Sequence, residues 1–170
     1  AERHRTLRAT IDWSYQLLAP ELQEFFDRLS VFRGGCALEA AETVCNEPLA
    51  LDYLAQLREC SLMTSSEVNE EMRYRQLETL REYGWERLVK RGESELMKNR
   101  HCRHFLRLAE EAEPALYGSA QIEWLNKLEL ELDNLRAAMQ WAQDKGQLKY
   151  SIRLALALYH LLYRRGYWME

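Results

Sequence analysis

The period of apolar and polar positions changes once along the chain, between Met72 and Leu88. Met72, Tyr74 and Gln76 alternate with Arg73 and Arg75, the two-residue period of a half-buried strand, after which Leu77, Leu80, Gly84 and Leu88 recur at helical spacing. A strand running directly into a helix is expected there. The short, partly apolar run 61–64 supplies a partner strand, and the polar residues 65–71 a hairpin loop between the two.

Upstream of this hairpin the pattern is helical. Leu7, Ile11, Tyr15 and Leu18 mark a first helix with Thr6 as its N-cap, and Pro20 with Glu21 opens a second. In that second helix Leu22, Phe25, Phe26, Leu29 and Phe32 form one apolar stripe, which Gly34 and Gly35 stop by offering positive φ. Leu38, Ala41, Val44 and Cys45 predict a short third helix, and Pro48 with Ala50, Tyr53, Leu54 and Leu57 a fourth. Short helices followed by one small β-hairpin are the outline of a winged helix, placed over residues 1–91.

Residues 92–170 read as helical throughout. After Gly92, Met97, His101, Phe105, Leu108, Ala109 and Ala112 form the inward face of a long helix over 93–113, closed by Pro114 and Gly118. Leu125, Leu128, Leu132, Leu135, Met139 and Ala142 then alternate spacings of three and four, with Asp133 and Asn134 dividing the stretch into two helices. Gly146 separates these from a last helix that begins near Leu148 and ends at Gly166. Antiparallel helix pairs with short turns are the layout of an α-solenoid. The aromatic residues Trp124, Trp141, Tyr150, Tyr159, Tyr163, Tyr167 and Trp168 are expected mostly as core between stacked helices. The chain starts without Met and stops in mid-pattern, as a fragment of a longer array would, and such an edge leaves apolar surface in need of a neighbour.

Composition fits this picture. Apolar residues make up 47% and charged residues 29% of the 170 positions, and three prolines and seven glycines leave little room for disordered linkers. The net charge of −4 gives no general footprint for nucleic acid, whose binding rests on phosphate neutralisation by Lys and Arg. Cys36, Cys45, Cys60 and Cys102 show no CxxC spacing and are expected as reduced core thiols of a cytoplasmic protein. No run reaches the roughly 18 apolar residues of a membrane span.

Candidate chemistry is sparse. The fourth helix, in the position of a DNA-reading helix, carries Arg58 against Asp52 and Glu59, and the expected wing loop is acidic, so DNA is not the expected partner of this element. Arg100, Arg103 and Arg107, with His104 alongside, form a basic stripe, which serves either as a solvated face or as a contact for an acidic partner or a neighbouring module. His101, Cys102 and His104 do not converge on one helix face, so no metal site is assigned. GxxxxGK[ST] is absent, so no P-loop hydrolysis is expected of this chain, which is taken as non-catalytic and without a cofactor of its own.

Three runs carry a family resemblance. They are Arg5-Thr6-Leu7-Arg8-Ala9-Thr10-Ile11-Asp12-Trp13-Ser14-Tyr15, then Leu29-Ser30-Val31-Phe32-Arg33-Gly34-Gly35, then Tyr74-Arg75-Gln76-Leu77-Glu78-Thr79-Leu80-Arg81-Glu82-Tyr83. Together they resemble the region of bacterial STAND-class, LuxR-type signal-transduction ATPases that follows an NB-ARC-like nucleotide-binding module. The later run Asp133-Asn134-Leu135-Arg136-Ala137-Ala138-Met139-Gln140-Trp141-Ala142 is similar to the entry into the TPR-like array of those proteins. The resemblance implies a coupling fragment with three features: ATP or ADP bound in the parent protein, an upstream nucleotide-binding module and downstream repeats as partners, and a protein or ligand effector. The family's Met-His-Asp motif, whose histidine approaches the β-phosphate of ADP, falls on Gln76, Leu77 and Glu78. Leucine donates no hydrogen bond, so the resemblance leaves Leu77 a packing role, with Leu80, against the fourth helix. The alternative reading is a transcriptional regulator whose own winged helix touches DNA.

Overall fold

The computed structural model describes residues 2–165, and the side chains of 7–159 and 161–163. Among the described residues it is mainly helical with one small antiparallel sheet. The order is α1 (Glu2–Gln16), α2 (Pro20–Leu29), β1 (Cys36–Ala37), α3 (Leu38–Cys45), α4 (Ala50–Glu59), β2 (Thr64–Val68), β3 (Glu71–Arg75) and α5 (Glu78–Lys90). Then come α6 (Ser94–Ala115), α7 (Gln121–Leu130), α8 (Leu132–Asp144) and α9 (Leu148–Arg165). The chain divides into two compact units, 1–97 and 98–170, and the division falls inside α6.

In the first unit, α2, β1, α3, α4 and the β2–β3 hairpin follow one another in the order of a winged helix. The sheet order is β1-β3-β2, with Cys36 opposite Tyr74 and Val68 opposite Glu71. The expected loop 65–71 is therefore mostly strand. Its turn is only Asn69 and Glu70, both at positive φ (52° and 64°), the two-residue hairpin turn whose twist matches that of the flanking strands. Polar residues read as loop in sequence because both faces of β2 stay at least partly exposed, which removes the apolar alternation a strand normally shows.

Helix boundaries move for local reasons. Backbone helix runs from Glu2, so Thr6 lies inside α1 and is not its N-cap; the Thr6 side chain is outside the described residues. Helix α2 opens on Pro20 as expected but stops at Leu29, five residues before Gly34, and Phe32 is buried from the turn that follows. Gly35 serves the sheet instead. It has φ +99°, and a Cβ there would stand 2.6 Å from the Tyr74 carbonyl oxygen, so the chain can pass β3 this closely only as glycine. Pro114 sits in the last turn of α6 rather than ending it.

The core of the first unit lies where α4 and α5 pack on α2. Phe25, Phe26, Leu54, Leu57 and Leu88 are at most 1% exposed. At Gly84 a Cβ would meet Ser30 Cβ at 3.2 Å and Phe26 Cε1 at 3.3 Å, so α5 approaches α2 almost backbone to side chain. The expected docking of α5 against α4 gives way to docking on α2 for this reason. In the second unit α8 and α9 fold back on one another through the turn at Gly146 (φ +66°), with Leu135, Ala138, Ala142, Leu154 and Leu161 at 0% exposure. Glu131 alone separates α7 from α8, two residues before the expected break. Among the described residues no helix is long and apolar enough to cross a membrane.

Candidate functional site at the wing and its following helix

Helices α3 and α4 make a helix-turn-helix. Asn46 takes the left-handed conformation (φ 54°) that ends α3, and the Glu47 carboxylate accepts a hydrogen bond from the Leu49 N–H at 3.1 Å just before α4 begins. The apolar side of α4 (Ala50, Leu54, Leu57) is buried, which turns Leu51, Asp52, Gln56, Arg58 and Glu59 outward. Arg58 Nη1 reaches the Ser65 hydroxyl at 3.4 Å, so the one cation of that face leans on the sheet. At the hairpin Glu67 and Glu70 are exposed. The surface that a winged helix turns towards a duplex is thus acidic at both the helix and the wing.

The strand-to-helix junction separates the three motif positions. Gln76 is 7% exposed and its Nε2 donates to the Phe26 carbonyl at 3.0 Å, tying the end of β3 to α2. Leu77 caps α5 in extended backbone and is 55% exposed. It therefore does not share the packing role given to it with Leu80, which is 6% exposed. Glu78, in the first turn of α5, accepts from Arg81 Nε (2.9 Å) and Nη2 (2.6 Å), and Arg81 holds its carboxyl below the usual range. Arg81 Nη1 also donates to the Ser30 carbonyl at 3.3 Å. Burial pulls the Arg33 guanidinium below its usual range, with the neighbouring Arg81 charge adding to the effect. Glu78, Arg81 and Gln76 thus lock the start of α5 onto α2 through their own partners.

A partly buried polar network that sequence patterns did not reveal ties α1, α2 and α5 together. The Tyr83 hydroxyl donates to Asp12, and Arg87 Nη2 reaches Asp12 Oδ1 at 3.1 Å. Arg87 lies over the rings of Tyr15 and Tyr83, 5.0 and 5.1 Å from their centroids. Asp27, fully buried, accepts from the Tyr15 hydroxyl at 2.9 Å and from Arg91 Nε at 2.8 Å. Desolvation pushes the Asp27 carboxyl up to about 6 despite these donors, and pushes Tyr83 up to about 12. Contact with Tyr15 and Asp27 raises Arg91 instead; Arg91 keeps a third of its side chain in water, so the cost of burial falls on the carboxylate. The hydrogen bond from Tyr83 holds Asp12 below the usual carboxylate range. Asp12, Tyr15 and Tyr83 all lie in the runs that carry the family resemblance. The sequence signal was Asp27 itself, a carboxylate set directly after two phenylalanines in an apolar stripe.

In the second unit, Arg103 and Arg107 are exposed and Arg100 half-buried on α6, with Arg107 paired to Glu111 at 3.6 Å. His104 does not belong to this stripe. It is buried edge-on to Phe105, at 5.0 Å between ring centroids, because 100° per residue turns it towards the apolar face. His101 is also buried, its Nε2 3.1 Å from Asn134 Oδ1, and Asn134 Nδ2 donates to the buried Glu131 at 2.7 Å. This chain of bonds fixes the α7–α8 corner to α6. Of the aromatic positions expected in the core, Trp141 is buried, Tyr159 and Tyr163 are exposed, and Tyr167 and Trp168 lie outside the described residues.

No family model matches this chain, and no solved structure matches it. Over 99% of its length it is 34% identical to proteins of Mycobacterium bovis and Mycobacterium tuberculosis, each named "putative HTH-type transcriptional regulator", and covers 20% of their length. Over 59% of its length it is 30% identical to an uncharacterized protein of Mycobacterium tuberculosis, covering 27% of that protein. The chain spans about a fifth of the length of the first of these relatives. With a helix-turn-helix in the first unit and similarity running through both units, this chain is similar to one region of HTH-type transcriptional regulators.

Proposed function

We propose that this chain is a non-catalytic regulatory part of a transcriptional regulator and works through protein contacts. In this reading the winged helix couples a nucleotide-binding module of the STAND, NB-ARC-like type to the helical, TPR-like segment that begins at α6. ATP or ADP belongs to that module and not to this chain. The observation that carries the reading is the acidic outward surface of α4 and the hairpin, which suits a protein neighbour and repels a phosphate backbone. The network of Asp12, Tyr15, Asp27, Tyr83, Arg87 and Arg91 supports it, because it makes α1, α2 and α5 one stiff body able to transmit a displacement. At the junction the role is structural coupling rather than phosphate sensing: Leu77 can offer no donor, and Gln76 and Glu78 are engaged with α2 and Arg81. Arg100, Arg103 and Arg107 are the contact offered to an acidic surface of a neighbouring module.

The name of the relatives favours a second reading, in which this helix-turn-helix itself touches DNA. Fluorescence anisotropy with labelled duplexes at about 50 mM salt separates the two, since non-specific DNA binders reach Kd values of roughly 10⁻⁴–10⁻⁶ M even at physiological salt. The coupling reading expects no duplex binding in that range, and expects the double charge reversal Arg103→Glu and Arg107→Glu to weaken association with the nucleotide-binding module. Salt-dependent duplex binding that is lost on Arg58→Ala would establish the second reading instead.

A further inference from the structure

The last turns of α6 and the middle of α9 line a cleft of about 300 Å³, at the lower end of small-ligand sites, which span roughly 300–1,000 Å³. Spacing places it there. Ala109, Glu113 and Leu116 follow one another at steps of four and three on α6, and Arg153, Leu156 and Ala157 at steps of three and one on α9, so each set shares one helix face. Helix α9 packs on α7 and α8, and towards the cleft both α6 and α9 carry an alanine, Ala109 and Ala157, too small to fill the space between them. With Leu116 these alanines form a buried apolar floor, 2% to 7% exposed.

The rim is charged, and its charges do not balance. Arg153 of α9 pairs with Glu110 of α6 across the cleft, which cancels both. Arg107 holds Glu111 on another side of α6. Glu113 also lines the cleft, is exposed, and is engaged by no ion pair among the described residues. One carboxylate thus stands beside an apolar floor without a counter-charge. An anion is repelled there and finds Arg153 already taken, while a neutral body would strip water from the carboxylate without replacing it. Among the described residues no three His, Cys, Asp or Glu side chains are grouped to hold a metal ion, so the cation that suits these walls is organic. We propose that this cleft binds a small organic amine, its ammonium group on Glu113 and its apolar body on Ala109, Leu116 and Ala157, with Leu156 at its edge. The Arg153–Glu110 pair stays closed in the complex and bounds the site on one side. The cleft lies wholly within residues 98–170 and does not depend on what the winged helix contacts.

Titration of the isotope-labelled 170-residue chain with phenethylamine, followed by two-dimensional NMR, tests it, with phenethyl alcohol and hydrocinnamate as the neutral and anionic matches. Saturable shifts of amides in 109–116 and 153–157 are expected, with a Kd of about 0.1–1 mM for a ligand of this size, and the alcohol and the carboxylate bind about tenfold more weakly or worse. Glu113→Gln, at an exposed position, should raise the Kd of the amine by about tenfold and leave that of the alcohol unchanged. Ala109→Leu fills the floor and should abolish binding; Ala157→Met closes the cleft from the other wall, and the spectrum of each variant reports whether it is folded. The absence of saturable shifts at about 10 mM amine overturns the proposal, as do shifts that map to other residues or that Glu113→Gln leaves unmoved. Equal binding of amine and alcohol would make the cleft a purely apolar site and overturns it as well.

Discussion

Asp27 offers a pH-dependent test of how the first unit is held together. Its carboxyl is at 0% exposure between α1, α2 and the end of α5, and burial lifts it from an ordinary 3.8 to about 6 although Tyr15 and Arg91 both donate to it. Between these two values the folded chain holds a proton that the unfolded chain has released. The folded state is therefore favoured most below pH 4, and this contribution is lost as pH rises towards 6. A displacement of about two pH units corresponds to about 3 kcal/mol. Asp27→Asn keeps the shape and removes the titration. It also alters the bonds to Tyr15 and Arg91, which adds an offset that does not vary with pH. The measurement is urea unfolding of both proteins at intervals from pH 4 to pH 7, taking the difference at each pH so that the second unit cancels. Relative to the parent, the variant is expected to gain about 3 kcal/mol across that window and nothing further above it. Asp12, Glu78 and Glu86 act with the opposite sign, since their partners hold them below the usual carboxylate range and their stabilisation fades only as pH falls through those lowered values. They are common to both proteins. Parallel stability curves for parent and variant would refute the account of a buried, reluctantly ionised carboxylate.

Three further outcomes follow from particular contacts. Gly35→Ala should lower stability by roughly 2–4 kcal/mol, since it combines a strained positive φ with a Cβ 2.6 Å from the Tyr74 carbonyl oxygen; a thermal melt with an unchanged midpoint would contradict this. Leu77→Ala should cost under about 1 kcal/mol, because that side chain is 55% exposed, whereas Leu80→Ala at 6% exposure should cost roughly 2–4 kcal/mol, and denaturant midpoints of the two variants decide the order. Ellman's reagent on the native chain should titrate one thiol, Cys60, while Cys36, Cys45 and Cys102 react only after unfolding; burial also pushes the Cys102 thiol up to about 11, so two or more fast thiols would show that the core is open. The exposure of Cys60 corrects the expectation that all four cysteines are core residues.

What the sequence by itself determined was the class of each long element. Helical apolar spacing places Leu22, Phe25, Phe26 and Leu29, and again Met97, Phe105 and Ala112, inside, and all of them are buried, because one face of a helix has one way to leave water. The change of period near Met72 likewise located a strand that runs into a helix. The tertiary structure decided what spacing does not encode. The hairpin lengthened at the expense of its loop, since a ladder partner, not apolar alternation, makes Ser65 and Glu67 strand residues. The two-residue strand β1 exists only because Gly35 lets the chain run beside β3. Gly84 brings α5 close onto α2, where a Cβ would press on Ser30 and Phe26, and that approach leaves Leu77 outside and carries Tyr83, Arg87 and Arg91 to Asp12 and Asp27. Those residues are separated by as many as 75 positions in the chain. A one-dimensional pattern records which side of each helix is apolar, and only the packing of one backbone on another determines which polar groups are trapped between them.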